Sequence, residues 1–543
     1  MSSRAITERK DGKRGLKRWK TPVETAPSVM GDDQPLWARL VGGAGVALLV
    51  FAAVSFIALN YRKVLVLPGL DWEIGYGWAG FLGVIGLTCM LLHAASDAEL
   101  QIRRSYMAFA YVWLIVGIGV SVLPINGPAG AGFLPKGIPC LFLALLFLMA
   151  YVRNETEEIF RDVAVYVMGG VGAAAAVGGF FFGSIYESFL LPYGAVMLIF
   201  GMLYLSAFVG LMDERYDLRY WTGVGAGAGG VLFFLIAFVR SAVLPFMASK
   251  EWISAANGPD YLMPSGLVMM AAGVMYIMLG LAASSDNRLV VMTRRELATY
   301  FQTPIAYIIL YGFMWIAFAI FVQFVQGALL QPDPERHLVP RRVPEPVIIN
   351  YFIGWFPVLC LLFVVPILTM RLLSEERRSG TLEMLLCAPV DEIHVILSKF
   401  MAALIMFLLV WLPFWLYLLS LWVGGGTPFD YRPLIGFLVA QLFSGAAFVS
   451  MGLFFSSLTR SQITAAILTF AGMLALTAPY FVIPLFVELD EPKQNLLSYI
   501  SYIELWINAF RGKLELRALV FQSSLAVFWL FLTYKWLEAR KWW

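Results

Sequence analysis

Fourteen apolar runs, each near the length that spans a bilayer, recur along the chain and leave little room for any other architecture. They lie near residues 36–60, 74–95, 107–124, 134–152, 163–183, 190–211, 221–246 and 262–284. After a basic stretch, six more follow near 304–327, 350–372, 396–423, 433–458, 462–486 and 517–536. In hydrocarbon a segment must satisfy its own backbone hydrogen bonds, so runs of this kind predict membrane-spanning α-helices. The expected fold is therefore all-α and polytopic, with about fourteen transmembrane helices. Composition agrees: 60% of the 543 residues are hydrophobic and 14% charged, against about 25% charged in soluble domains. A large water-soluble domain is excluded, and a net charge of +3 gives nucleic-acid binding no support.

The placement of charge orients the helices, because Lys and Arg collect on cytoplasmic segments. The tail carries Arg4, Arg9, Lys10, Lys13, Arg14, Lys17, Arg18 and Lys20, and Arg39 stands at the start of the first run. With that tail inside, alternate connections place Arg103, Arg104, Arg153, Arg161, Arg215, Arg219, Arg288, Arg294 and Arg295 inside as well. An even number of spans then returns the C-terminus to the same side, so both termini are expected in the cytoplasm. The first run has no small-residue cleavage site behind it and reads as a retained helix, not a signal peptide.

The chain divides near residue 286. Residues 1–35 form a basic cytoplasmic tail, 36–285 an eight-span module with short connections, and 286–543 a six-span unit with longer, polar ones. Gly225, Gly227 and Gly230 in the first module match GxGxxG, but they sit within an apolar helix with no preceding strand. Close helix packing accounts for them better than a cofactor does. Cys89, Cys140, Cys360 and Cys387 show no metal or disulfide spacing.

The inside connection between the tenth and eleventh spans is the most informative stretch. After Glu375, Glu376, Arg377 and Arg378 comes GTLEMLLCAPV at 380–390. Gly380 and Thr381 can start a short helix with Glu383 in its first turn, where the helix dipole favours negative charge. Leu382, Leu385 and Leu386 share one face by their spacing, and Pro389 stops the helix. The result is a short amphipathic helix at the inner surface, leading directly into the next span. It reads either as an element that transmits force from a soluble partner or as an ordinary interfacial helix with a solvated charge cluster.

This stretch, with Lys399 behind it, resembles the permease subunits of type-2 ABC exporters. LFFSSLTRSQITAAI at 453–467 resembles that family's SSLT segment between two spans. MTRRELATYFQTPIAYIIL at 292–310 and SYIELWINAFRGKLELRALVF at 501–521 are similar to the gliding-motility-associated branch. The resemblance covers about 286–543. It implies a six-span permease unit, a homodimer or heterodimer of permeases, and a separate ABC ATPase subunit on the cytoplasmic face, with ATP and Mg bound by that partner and no cofactor in this chain. It also implies a bacterial cytoplasmic (inner) membrane location, a lipid-bilayer environment and room for an accessory subunit with a periplasmic domain.

By the same analogy the ATPase-coupling residues are Glu375, Glu376, Arg377, Gly380, Thr381, Glu383, Leu386 and Pro389. Arg294, Arg295 and Glu296 would lie in a connecting helix over 287–302. Glu504 and Arg511 would belong to a segment, 488–517, that dips into or caps the outer leaflet. The extra N-terminal multi-span module departs from the family pattern; it reads as a degenerate permease, a docking platform or a lipid-facing module.

Enzymatic readings have less support. A phosphate-binding GxxxxGK[ST] loop is absent: the Gly-Lys pairs, at 12–13 and 512–513, are followed by Arg14 and Leu514. His93, His337 and His394 stand on different segments. The expected function is thus an ATP-driven exporter's permease, not an enzyme. The alternatives are a membrane scaffold or a polytopic lipid-modifying enzyme. The substrate leaves no motif: a lipid, a polysaccharide, a peptide or a copper-site maturation factor would all fit.

Overall fold

The computed structural model describes residues 36–61, 65–66, 73–74, 76–96, 100–122, 134–155, 157–185, 193–212, 217–250, 264–301, 303–325, 349–381, 391–423, 432–482 and 500–540. Apart from a two-residue antiparallel ladder, β1 (Leu65–Val66) with β2 (Glu73–Ile74), these residues are helical or connect helices. Among them, eleven helices are long and apolar enough to cross a membrane, and Arg39–Ser55, Leu82–Ala95 and Ala195–Leu211 are apolar but shorter. Together they coincide with the fourteen expected runs.

In chain order the helices are α1 (Leu36–Tyr61), α2 (Tyr76–Ala95), α3 (Leu100–Val122), α4 (Leu134–Asn154), α5 (Glu158–Ile185), α6 (Ala195–Leu211) and α7 (Asp217–Phe238). A π-turn at Val239–Val243 joins α7 to α8 (Leu244–Ser249), and α9 (Pro264–Ser284) follows. The π-turn has a local cause: Pro245 has no N–H to bond one turn back, so the helix widens ahead of it.

The chain separates into two compact units. One comprises 1–111 with 146–155; the other comprises 112–145 with 156–543. In the first, the end of α2 meets the start of α3, where the buried His93 Nδ1 and Tyr106 hydroxyl share a hydrogen bond of 2.8 Å.

Among its described residues the second unit has a smaller and a larger core. The smaller gathers Ala176, Leu198, Leu205, Phe233, Met269 and Tyr276 from α5, α6, α7 and α9. There α7 and α9 cross so closely that a Cβ on Gly280 would fall 2.5 Å from the Gly227 Cα, and one on Gly230 would fall 2.7 Å from the Gly273 carbonyl oxygen. Two of the three GxGxxG glycines are thus explained by backbone contact between helices.

The larger core spans Ala306 to Leu537 and is built by the rest of the chain. Its helices are α10 (Arg288–Phe301), α11 (Pro304–Phe324), α12 (Ile349–Phe352), α13 (Trp355–Thr369), α14 (Ser374–Ser379), α15 (Glu392–Val423), α16 (Arg432–Leu458), α17 (Gln462–Val482), α18 (Tyr502–Phe510) and α19 (Leu516–Arg540). The expected span 350–372 is divided: the chain is extended at Gly354 (ψ 157°), which separates α12 from α13. A glycine followed closely by Pro357 supplies little drive to continue the first helix.

Candidate functional site

Of the residues singled out in the sequence, Glu296, Glu375, Glu376, Arg377, Gly380, Thr381 and Lys399 gather where α13 ends, α14 begins and α15 starts. Approaching from the N-terminal side, α10 is capped by Asn287, whose side-chain oxygen accepts the Leu289 N–H at 3.1 Å. One face of α10 turns Leu297 and Tyr300 onto the larger core, while Arg294 and Arg295 are exposed. The Tyr300 hydroxyl donates to the Leu368 carbonyl at 2.8 Å. Burial, and then the nearby Glu296 charge, pushes this phenol above its ordinary pKa, so it remains a proton donor.

α14 is held from the far end of α16. The buried Ser456 hydroxyl accepts the backbone N–H groups of Leu373 (3.0 Å) and Ser374 (3.1 Å) and donates to the Met370 carbonyl (3.2 Å). A serine 82 positions away thus satisfies a helix start that would otherwise bury unpaired donors. Next to it, the Arg377 guanidinium donates to the Ser457 carbonyl, which also accepts the Trp536 indole N–H at 3.1 Å. These contacts give the SSLT stretch a physical role: its two serines anchor the polar connection to α16 and α19.

The centre of the site is Lys399. Its ammonium, on a side chain 3% exposed, donates to Glu296 Oε2 at 2.9 Å and to Glu376 Oε1 at 2.6 Å. One lysine on α15 therefore ties together α10 and α14. The Arg295 charge also acts on Glu376, whose Oε2 is buried with no hydrogen-bond partner among the described residues. On the outer side of α14, Arg371 grips Glu375 through two hydrogen bonds of 2.9 and 3.0 Å.

Gly380 closes α14 in the left-handed region at φ 74°, and Thr381 is again helical. The Ser379 hydroxyl lies 2.8 Å from that of Thr381 and bonds back to the Glu375 carbonyl at 2.9 Å. Helix structure thus begins six residues ahead of the expected start, at Ser374. The expected amphipathic turn itself, with Glu383, Leu386 and Pro389, lies outside the described residues.

Glu504 and Arg511 are elsewhere. α18 runs beside α16, from Phe510 stacked on Phe437 to Tyr502 against Phe448, far along α16 from Ser456 and Ser457. Glu504 is half-buried on α18, and Arg511 is exposed just beyond it. Sequence reading named Lys399 only as a flank and missed both of its pairings. A lysine at the head of a long apolar helix is itself a signal, because such a charge is costly without a partner and carboxylates stand on both neighbouring polar segments.

Among the described residues no group of three or more His, Cys, Asp or Glu side chains is placed to hold a metal ion. Residues 337–504 match the family model for the ABC-2 family transporter protein. That interval contains Glu375, Glu376, Arg377, Lys399, Ser456 and Ser457, whereas α10 with Glu296 precedes it. No curated protein and no solved structure matches the chain. The match supports a component of a membrane transporter.

Proposed function

We propose that this protein is the permease subunit of an ATP-driven transporter, powered by a separate ATPase that engages residues 375–389 on the cytoplasmic face. The match over 337–504 supports the permease type. The observation that carries the coupling is the Lys399 junction: α14 bears Glu375, Glu376 and Arg377 of the expected contact, and Lys399 joins it to α10 and to the 32-residue α15. A buried ion pair adds little net stability, since desolvation offsets its attraction, but it resists separation once formed. A push on α14 would therefore displace α15 and α10 with it.

In this reading 286–543 is the six-span permease unit, two permeases form the pathway, and transport is outward, with this chain itself hydrolysing nothing. The eight spans over 36–285 serve as a docking platform, a degenerate permease or a lipid-facing module. The gliding-motility-associated branch fits the 501–521 segment.

The test is purification of the native complex in mild detergent, reading co-purifying subunits and ATP hydrolysis, beside the same preparation carrying Glu383→Lys, which leaves the Lys399 junction intact. A stoichiometric ATPase lost from the variant supports the proposal. An ATPase that stays bound and equally active places the contact elsewhere. A clean preparation with no ATPase in several gentle detergents removes the transport reading and favours a scaffold.

A further inference from the structure

On α16, Phe437, Gln441, Ser444 and Phe448 recur at the spacing of a single helical face. α18 lies antiparallel along that face. Phe510 stacks on Phe437 at 4.4 Å, the Trp506 indole N–H donates to Ser444 Oγ at 3.0 Å, and Tyr502 meets Phe448 edge-on at 4.8 Å. Gln441 therefore sits beneath α18, between the levels of Trp506 and Phe510, and its exposure is 0%. Trp411 of α15 closes the same space, its ring 5.7 Å from Trp506 and 6.4 Å from Phe437.

Within this aromatic enclosure neither amide atom of Gln441 has a hydrogen-bond partner among the described residues, and neither does the Trp411 indole N–H. Trp506, equally buried, has Ser444. Leaving an amide unpaired in an apolar core is costly, and buried polar groups are as a rule satisfied by protein or by ordered water. The complementary ligand follows from the donors and acceptors present: an indole offers only a donor, and a glutamine amide offers both. The ligand must accept from nitrogen and donate to Gln441 Oε1, and none of the side chains named around it carries a charge to balance an ion. A neutral hydroxyl fits, and water is the smallest.

We propose that Gln441 and Trp411 hold an ordered water molecule beneath α18, a neutral hydrogen-bonding site in the core of the six-span unit. The site is independent of the transport reading. It gives a glutamine among phenylalanines and tryptophans a reason to be there, and it seats α18 on a polar contact that can exchange partners.

X-ray radiolytic labelling of the full chain in lipid nanodiscs tests this, because an ordered water generates hydroxyl radical in place and oxidises the buried side chain it touches. Trp411 is expected to be oxidised several-fold faster than Met406, a fully buried residue of α15 whose thioether is intrinsically the more reactive. In Gln441→Met, Trp411 labelling should fall to the level of Met406. Equal protection of Trp411 and Met406 in the unaltered chain overturns the proposal, and that comparison stands whether or not the variant folds. Unchanged labelling in Gln441→Met overturns it too.

Discussion

Lys399 sits among apolar neighbours, and what its ammonium touches decides what its loss would do. Lys399→Met leaves Glu296 and Glu376 facing each other with no cation between them. Removing one partner of a buried ion pair costs about 3–5 kcal/mol, so thermal unfolding in detergent should begin well below that of the unaltered protein. Adding Glu296→Gln and Glu376→Gln to Lys399→Met should recover most of the loss, because no charge then remains uncompensated. Simple additivity of the three losses would mean that the groups do not act as a unit. Ser456 allows a second test at this scale. Ser456→Ala strips the acceptor from two buried N–H groups and should cost about 1–2 kcal/mol, with faster amide hydrogen exchange at Leu373 and Ser374.

Among the elements of the site, α14 is open to single changes because it is only six residues long and depends on its ends. Its C-terminus needs φ 74° at Gly380, a conformation that costs other residues about 1–2 kcal/mol. Gly380→Ala should therefore loosen α14 and speed tryptic cleavage after the exposed Arg378, while Gly380→Asn, which tolerates the left-handed region, should change it less. Equal cleavage of both variants and the unaltered chain would show that the glycine is not needed there. α10 was readable from its pattern of Leu297 and Tyr300 against Arg294 and Arg295, and the structure gives Arg288–Phe301 where 287–302 was expected. For α14 the charges of 375–378 suggested a flank, yet they form the helix itself. Its stabilising partner, Ser456, is distant in sequence and so invisible to any local pattern.

For the whole molecule, the close crossing of α7 and α9 makes the smaller core sensitive to volume at particular glycines. Gly280→Leu should lower the thermal midpoint by several degrees, because its side chain meets Gly227 backbone at 2.5 Å and the helices must part. Gly225→Leu, with open space around its position, should leave the midpoint near that of the unaltered protein. Similar shifts for both would remove the packing account of these glycines. The charge bias of the connections makes a further statement: a green fluorescent protein fused after Trp543 should fold and fluoresce in the cytoplasm. A dark but translocated fusion would reverse the orientation of the permease unit and with it the site of ATPase contact.

The sequence alone determined where the apolar helices of the described residues lie and which connections are polar. These are local properties: a run of side chains either can or cannot replace water around its own backbone, and a helix face repeats every few residues. Only the tertiary structure decided that Lys399 joins Glu296, 103 positions away, with Glu376, that Ser456 starts α14, and that Gln441 lies under α18. Each of these depends on which helices pack together. That choice is made by side-chain shape and close backbone approach across the whole bundle, and no window of sequence contains it.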